Sequence, residues 1–212
     1  MKRPLRTHLS PLNLTRRGIP KNMQKNTIKD FDSFGNKERA KIGKLIKDYI
    51  NNIDDKFENN IGLFLFGSNG TGKTYLASII VKEAYRHRYT SKRCTFVNYI
   101  NEYTRVWGTK NKEEKEEAEG LFYNDFKAVE FLCLEELGKE IDTSISVPIL
   151  EDLLRYREEH GLPIIICTNI SPKDLLEKYG SSIMSLIKGN TVPIKMVGQD
   201  LRESTFKKRG LS

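Results

Sequence analysis

The sequence contains no apolar run close to the ~20 residues that a membrane-spanning helix needs, and its N-terminus has no apolar segment of a secretory signal. Cysteine is scarce: the three cysteines lie far apart in hydrophobic runs, and none belongs to a C-x-x-C pair. This pattern argues against a disulfide framework or a zinc site and indicates small buried side chains in a reducing compartment. We therefore expect a cytoplasmic protein that makes no contact with a membrane.

Acidic residues are missing from residues 1–26, a stretch that contains seven lysines and arginines. The net charge of the whole chain is +8, so the rest of the chain is close to neutral. We predict a basic N-terminal arm over 1–26 and one domain over 27–212. Prolines and a glycine in the arm discourage a helix. Arg16 and Arg17 are candidates for contact with nucleic-acid phosphates; binding of a protein partner or a solvated tail are the alternatives.

One motif carries most of the chemical information. It matches the phosphate-loop pattern G-x-x-x-x-G-K-[ST] and consists of Gly67, Ser68, Asn69, Gly70, Thr71, Gly72, Lys73 and Thr74. An apolar strand precedes it and helical spacing follows it, which is the context that such a loop requires. Backbone N–H groups of the loop surround a polyphosphate, Lys73 reaches the β- and γ-phosphates, and the Thr74 hydroxyl binds Mg²⁺. We predict a nucleoside triphosphate site formed by residues 67–74 and the adjacent Tyr75.

Apolar strands alternate with helices along the chain, which predicts an α/β fold with a parallel sheet and helices on both faces. The predicted strands are 62–66, 94–97, 131–134, 164–167 and 192–197. The predicted helices are 36–51, 72–87, 100–107, 148–160 and 172–179. Between them, the highly charged stretch 110–119 is predicted as a mobile loop or the start of an exposed helix.

Polar residues follow two of the predicted strands. In open α/β sheets, ligands bind beyond the carboxyl ends of the strands. Glu135 is predicted to lie near Mg²⁺, and Glu136 to orient or deprotonate the attacking water. Asn169, with Thr168 before it, is predicted to contact the γ-phosphate or that water. The alternative in each case is a polar residue that merely ends a strand and faces solvent.

Taken in order, these motifs resemble those of DnaC/DnaI-type helicase loaders, the group that also contains the IstB transposition ATPases. The resemblance is carried by 18–20, 62–77, 134–138, 165–169 and 200–202. It implies an AAA+ P-loop ATPase fold, a parallel sheet flanked by helices on both faces, without a separate C-terminal lid domain. It also implies an origin in a bacterial cytosol or a phage-infected cell.

The resemblance further implies that the protein binds ATP and Mg²⁺ between the subunits of a spiral or ring, and that it hydrolyses ATP slowly or when a partner stimulates it. Its expected partners are single-stranded DNA and a replicative hexameric (DnaB-type) helicase. The helix after the second strand would face the DNA, with Tyr103 and Arg105 as contacts beside Tyr99 and Trp107. The three aromatic residues fall at i, i+4 and i+8, so they could instead pack as one helix face.

Three features depart from the family pattern. Glu135 stands where Asp is usual, and its carboxylate reaches one methylene further. Residues 180–185 contain no arginine for the γ-phosphate of a neighbouring subunit, which leaves Lys188, Arg155 or Arg157. We find no separate helicase-binding domain before the arm, so the arm or the domain surface is expected to contact the helicase.

Two alternatives to a loader stay open. One is an IstB-like transposition helper ATPase that binds duplex DNA, and the other is a nucleotide-gated DNA-binding adaptor with little hydrolysis. A small-molecule kinase fits less well, because no arginine-rich lid segment follows the acidic pair.

Overall fold

A five-stranded parallel sheet forms the centre of the protein. The computed structural model describes residues 4–6, 8–140 and 143–198. The strands are β1 Gly62–Phe66, β2 Ser91–Thr95, β3 Phe131–Glu135, β4 Ile164–Thr168 and β5 Thr191–Lys195. Their order across the sheet is β2-β3-β4-β1-β5, and all neighbouring pairs are parallel. The predicted parallel α/β sheet is confirmed, with β1 and its phosphate loop next to β4.

Eight α-helices surround this sheet within the described part of the chain. They are α1 Pro11–Arg16, α2 Lys37–Asn51, α3 Ile53–Glu58, α4 Lys73–Arg86, α5 Phe96–Gly108, α6 Lys112–Phe122, α7 Thr143–Glu159 and α8 Pro172–Asn190. A π-helical turn, Tyr123–Lys127, extends α6. Gly180 breaks α8 into two helical pieces, because its φ of 82° and ψ of 174° are not helical. None of the helices described is long and apolar enough to cross a membrane.

The two faces of the sheet support separate hydrophobic clusters. Successive side chains of a strand point to opposite faces. Leu63 and Leu65 therefore pack with the residues of α2, α3 and α4, whereas Phe64 packs with those of α5, α7 and α8. Both faces are covered, which explains why the central strands are continuous apolar runs. The three cysteines are buried, as predicted.

The N-terminal segment, residues 8–26, packs against the domain. Leu14 and Ile19 are buried in the same cluster as α4, and the backbone N–H of Arg93 in β2 donates to the carbonyl of Arg17 at 2.9 Å. The expectation that this stretch avoids helix is wrong at α1. There the Ser10 hydroxyl accepts from the Asn13 N–H, and Pro11 occupies the first helical turn, where its missing N–H costs nothing. The boundary at residue 26 stays a prediction.

Several element bounds differ from the predictions, and the largest difference is at α8, which was predicted over 172–179 and continues to Asn190. Strand β2 ends at Thr95, because the Thr95 hydroxyl accepts from the Asn98 N–H and so starts α5 early. Helix α7 begins at Thr143 and contains Pro148 in its interior, although we predicted that residue near its start. Of the two predictions for 110–119, the helix is right: Asn111 caps α6 by accepting from the backbone N–H groups of Glu113 and Glu114.

Candidate nucleotide-binding site

The phosphate loop joins β1 to α4, and Lys73 is the first residue of the helix. Two glycines give the loop its path. Gly67 has φ of 143°, and a Cβ there would lie 2.4 Å from the Met196 carbonyl oxygen, while Gly72 has φ of 99°. The Lys73 ammonium donates to the carbonyl oxygens of Gly67 and Ser68, both at 2.7 Å. The loop therefore holds its lysine folded back over its own backbone.

Arg39 of α2 supports the loop from behind, and sequence reasoning missed it. Its Nη1 donates to the Thr71 carbonyl at 2.7 Å and its Nε to the Asp32 carbonyl at 2.7 Å. The guanidinium lies 4.3 Å from the centre of the Phe31 ring, and the residue is buried. A signal existed: Arg39 continues the apolar face of α2 at the spacing of Ile42 and Ile46, and a cation on such a face is a candidate for a buried structural contact.

Glu135 ends β3 as a buried acid, paired with Arg93 of the neighbouring strand β2. One carboxylate oxygen takes the ion pair, while Oε1 is buried and forms no hydrogen bond of ordinary geometry with the described residues. Burial raises the pKa of Glu135, although Arg93 and the nearby Thr74 hydroxyl both act to lower it. Arg93 was not foreseen, and no sequence motif marks it.

Glu136 differs from its neighbour in every respect. Its backbone has φ of 59°, a left-handed conformation that is uncommon for a residue with a side chain. Its side chain is 45% exposed and pairs with Lys139, with Nζ to Oε1 at 2.6 Å. The acid predicted to handle the attacking water is thus accessible from solvent, and a cation already holds it.

The end of β4 is tied to the loop after β3. The Thr168 hydroxyl donates to the Leu137 carbonyl at 2.7 Å, and the Leu137 N–H donates to the Cys167 carbonyl at 3.2 Å. Asn169 follows directly after this connection and lines the same cleft as the two glutamates. The expected proximity of the two strand ends is therefore present.

A cleft of 420 Å³ opens between the loop, the strand ends and the N-terminal segment. Most predicted site residues line it: Asn69, Gly70, Gly72, Lys73, Thr74, Tyr75, Glu135, Glu136 and Asn169. Gly67, Ser68 and Thr71 shape the loop without lining the cleft. Its volume is within the range of small-ligand sites.

One wall of the cleft comes from the N-terminal segment, which sequence reasoning treated as an arm. Asn22, Met23 and Asn26 line this wall. The buried Lys82 of α4 donates to the carbonyls of Gln24 and Asn26 and so fastens the segment there. Burial lowers the pKa of Lys82. No local pattern in the sequence predicts that these residues line the cleft.

The donor atoms present fit Mg²⁺ with a polyphosphate. The Thr74 hydroxyl and the Glu135 carboxylate offer the hard oxygen ligands that Mg²⁺ prefers. The thiols of Cys133 and Cys167 also lie close to the Glu135 carboxylate, with the candidate ligand atoms within 4.8 Å of one another, but soft sulfur ligands do not suit Mg²⁺. Burial raises the pKa of the Cys133 thiol, so that thiol remains a protonated neighbour of the site.

The three residues considered for contact with the γ-phosphate of a neighbouring subunit differ in how far they are exposed. Arg157 is 1% exposed and donates to four carbonyls, those of Lys127, Val129, Glu130 and Pro163. Burial lowers its pKa to about 9, so it stays charged at neutral pH and serves the fold. The suggestion that Arg157 acts on a neighbour is wrong. Arg155, paired with Glu151 at 2.6 Å, and Lys188 are exposed.

The predicted DNA contacts lie on two elements, with Tyr103 and Arg105 on α5 and Arg16 and Arg17 at the end of α1. Tyr103 packs against Phe122 and Trp107 at ring-centre distances of 5.8 and 6.0 Å. Arg105 is exposed beside Glu102 at 2.9 Å. Arg16 is exposed, whereas Arg17 is half-buried.

Tyr99 is 1% exposed, so its inclusion among the residues facing DNA is wrong, and the alternative of core packing holds for it. The other DNA contacts stay predictions. Residues 200–202, which carried part of the resemblance, lie outside the described residues.

No family model matches the chain. Five curated relatives match over part of their length, including the two that follow. The replicative helicase loader DnaI of Bacillus subtilis is 25% identical over 154 residues, which cover 66% of this chain and 47% of DnaI. The replicative helicase loader DnaC of Escherichia coli K12 is 22% identical over 140 residues, 65% of this chain and 55% of DnaC. The chain spans about half the length of these relatives.

Solved structures agree on the fold. A crystal structure of the DnaC helicase loader superposes with a TM-score of 0.67 at 20% identity, covering 84% of this chain and all of that one. The replication initiator DnaA bound to AMPPCP and single-stranded DNA superposes with a TM-score of 0.65 at 17% identity, covering 89% of this chain and 56% of that one. The expected AAA+ fold and the expected resemblance to DnaC/DnaI-type loaders are confirmed.

Proposed function

We propose that this chain is an ATP-dependent helicase loader of DNA replication. It binds single-stranded DNA and delivers a DnaB-type hexameric helicase. The observation that carries the proposal is the cleft in which the phosphate loop, Glu135, Glu136 and Asn169 meet, in a chain whose curated relatives are named replicative helicase loaders.

Five residues of the cleft have a part in ATP hydrolysis. Lys73 neutralises the β- and γ-phosphates, while Thr74 and Glu135 hold Mg²⁺, which when bound offsets the charge that builds up on the phosphates. Glu136 accepts a proton from the water that attacks the γ-phosphorus, and the bond to the ADP oxygen breaks. Glu136 must first leave Lys139, with which it pairs at 2.6 Å. Asn169 orients that water or the γ-phosphate.

Turnover is expected to be slow until a second subunit or a partner contributes a cation. Within 181–190, Lys188 is the only basic residue. A finger residue that reaches a neighbour's γ-phosphate accelerates related phosphate-loop enzymes by roughly 10³–10⁵. Assembly into a spiral or ring would place Lys188 or Arg155 at the next subunit's nucleotide, which links hydrolysis to assembly.

The first experiment combines the protein with its cognate hexameric helicase. Native mass spectrometry, with and without ATP and a single-stranded oligonucleotide, is expected to show a defined complex that depends on ATP. Lys73→Ala should abolish both ATP binding and this complex, while Lys41→Ala, at a 75% exposed position of α2, should leave them unchanged. ATP binding that persists in Lys73→Ala would overturn the loop assignment. No helicase complex, together with ATP-driven assembly on duplex DNA, would favour an IstB-like helper.

A nucleotide-gated adaptor with little hydrolysis is the second candidate. Both acids of the cleft are already engaged by cations, Glu135 by Arg93 and Glu136 by Lys139, which favours binding over turnover. Single-turnover hydrolysis decides between the two. A loader loses its turnover on Glu136→Gln, whereas an adaptor shows the same low rate before and after the substitution.

A further inference from the structure

Arg93 and Glu135 form a buried ion pair beside the proposed Mg²⁺ position. Their side chains are 15% and 4% exposed, and they lie on neighbouring strands, with Arg93 in register with Cys133 and Thr95 in register with Glu135. Removing two charges from water is costly, so a buried pair is weak support for stability by itself. Only one carboxylate oxygen is used in this pair. The other, Oε1, is buried and accepts no hydrogen bond of ordinary geometry from the described residues, although the Thr74 hydroxyl lies near the carboxylate.

The N-terminal segment fixes Arg93 from the opposite side. The Nη1 of Arg93 donates to the Gly18 carbonyl at 2.6 Å, and its backbone N–H donates to the Arg17 carbonyl at 2.9 Å. Gly18 has φ of +78°, and a Cβ there would lie 1.9 Å from the carbonyl oxygen of Arg93. The two backbones touch so closely that any other residue at position 18 would force them apart.

We propose that Arg93 is a positioning residue for Glu135, and that residues 17–18 hold Arg93 in place. The inference rests on the proposed ATP and Mg²⁺ site. Glutamate has one more rotatable bond than aspartate, so its carboxylate needs an external brace to take one position. Arg93 holds one oxygen and leaves Oε1 for Mg²⁺ or for a water bound to it. A partner that displaces the N-terminal segment would release Arg93 and thereby change the affinity for Mg²⁺.

The measurement is the dissociation constant of a fluorescent ATP analogue in EDTA divided by its dissociation constant in Mg²⁺. A high ratio means that Mg²⁺ strengthens nucleotide binding. Arg93→Met should lower this ratio about tenfold to a hundredfold, as for other residues that orient metal-binding carboxylates, and should leave the EDTA value unchanged. Arg93→Lys keeps the charge but cannot hold both Glu135 and the Gly18 carbonyl. Its ratio should therefore lie between those of Arg93→Met and the wild-type protein. Arg86→Met, at a 50% exposed position at the end of α4, is the matched control and should retain the wild-type ratio.

Folding is checked by circular dichroism, because Arg93→Met leaves a charged Glu135 buried. If that variant does not fold, Arg93→Lys decides. A folded variant of either kind with the wild-type ratio would overturn the inference. A wild-type protein that binds no nucleotide at all would refute the proposed function itself, which is a different result.

The role of the segment has its own pair of variants. Gly18→Ala forces the segment away from Arg93 without changing either charged side chain. Gly35→Ala has a similar backbone strain, with φ of +72°, but no atom lies within 4 Å of the added methyl group. We expect a reduced Mg²⁺ ratio for Gly18→Ala alone. Equal ratios in the two folded variants would show that the segment does not hold Arg93.

Discussion

The N-terminal segment and the helix pair α5–α6 use their charges in opposite ways, and DNA contacts were predicted on the first and on α5. In the N-terminal region, two of the cations, Arg6 and Arg17, turn inward. Arg6 donates to the carbonyls at the end of α4, and Arg17 lies 5.0 Å from the centre of the Tyr85 ring and donates to the Ser91 carbonyl. Free carbonyls at a helix C-terminus attract cations. A stretch of uniform charge can therefore be a structural part of a domain.

Helices α5 and α6 show the reverse arrangement. Their charged residues pair locally, as in Arg105 with Glu102 and Lys115 with Glu119, and one aromatic side chain points outward. Trp107 is 60% exposed, and the Lys115 ammonium lies 4.7 Å from the centre of its ring. Exposed aromatic rings beside cations suit the stacking of unpaired bases. The less basic of the two regions thus has the surface better suited to single-stranded DNA.

The largest effect is expected from breaking the N-terminal segment. Ile19 is 1% exposed, so Ile19→Ala should lower the free energy of unfolding by about 2–5 kcal/mol. Urea denaturation measures this change. Leu12→Ala, at a 62% exposed position of α1, is the control and should have almost no effect. Equal small effects would mean that the segment is detached in solution.

The outward aromatic residue provides a direct test of α5. Trp107 is the only tryptophan, so its fluorescence should be quenched when a single-stranded oligonucleotide stacks on it. Trp107→Ala should weaken single-strand binding by about 1–3 kcal/mol with little change in stability. Leu121→Ala, which removes an exposed apolar residue from α6, should not weaken it. Unchanged fluorescence at saturating DNA would exclude this face.

The N-terminal cap of α6 is expected to stabilise the helix that follows α5. The Asn111 side chain accepts two backbone N–H groups, and Asn111→Ala should cost about 1 kcal/mol of stability. Thermal unfolding measures it. Asn101→Ala, at an exposed position within α5, is the control. A loss equal in both variants would show that the cap contributes nothing.

The smallest effect is expected at the basic segment. If the exposed Arg16 meets a phosphate, Arg16→Gln should reduce the slope of log affinity against log salt by about 1. Arg17→Gln should change the slope less, because that guanidinium already donates within the domain. Titrations of DNA at several salt concentrations compare the two. A larger change for Arg17→Gln would show that Arg17, and not Arg16, contacts the phosphates.

Local patterns account for what could be predicted. The phosphate loop and the acids at the end of β3 occupy continuous stretches, and their partner strands are apolar runs. The supports could not be predicted in the same way, because they come from distant parts of the chain. Arg39 is 32 residues from the Thr71 carbonyl that it contacts, and Arg93 is 42 residues from Glu135.

Two helix starts, those of α1 and α5, were missed because of local side-chain caps. The side chains of Ser10 and Thr95 accept from backbone N–H groups three residues later. Such caps override the hydrophobic periodicity from which we placed the helix starts. For α1 we gave the prolines more weight than the Ser10 cap, although Pro11 occupies the first helical turn, where proline is tolerated.

The pairing of Arg17 with β2 also bears on how the protein behaves at high concentration. Strands β2 and β5 are the two borders of the sheet, and open borders invite other chains to add a strand. Pro193 removes one donor from β5, and residues 16–18 occupy the border at β2. Any event that frees the segment therefore also exposes a strand border. We expect variants in which the segment is detached to aggregate.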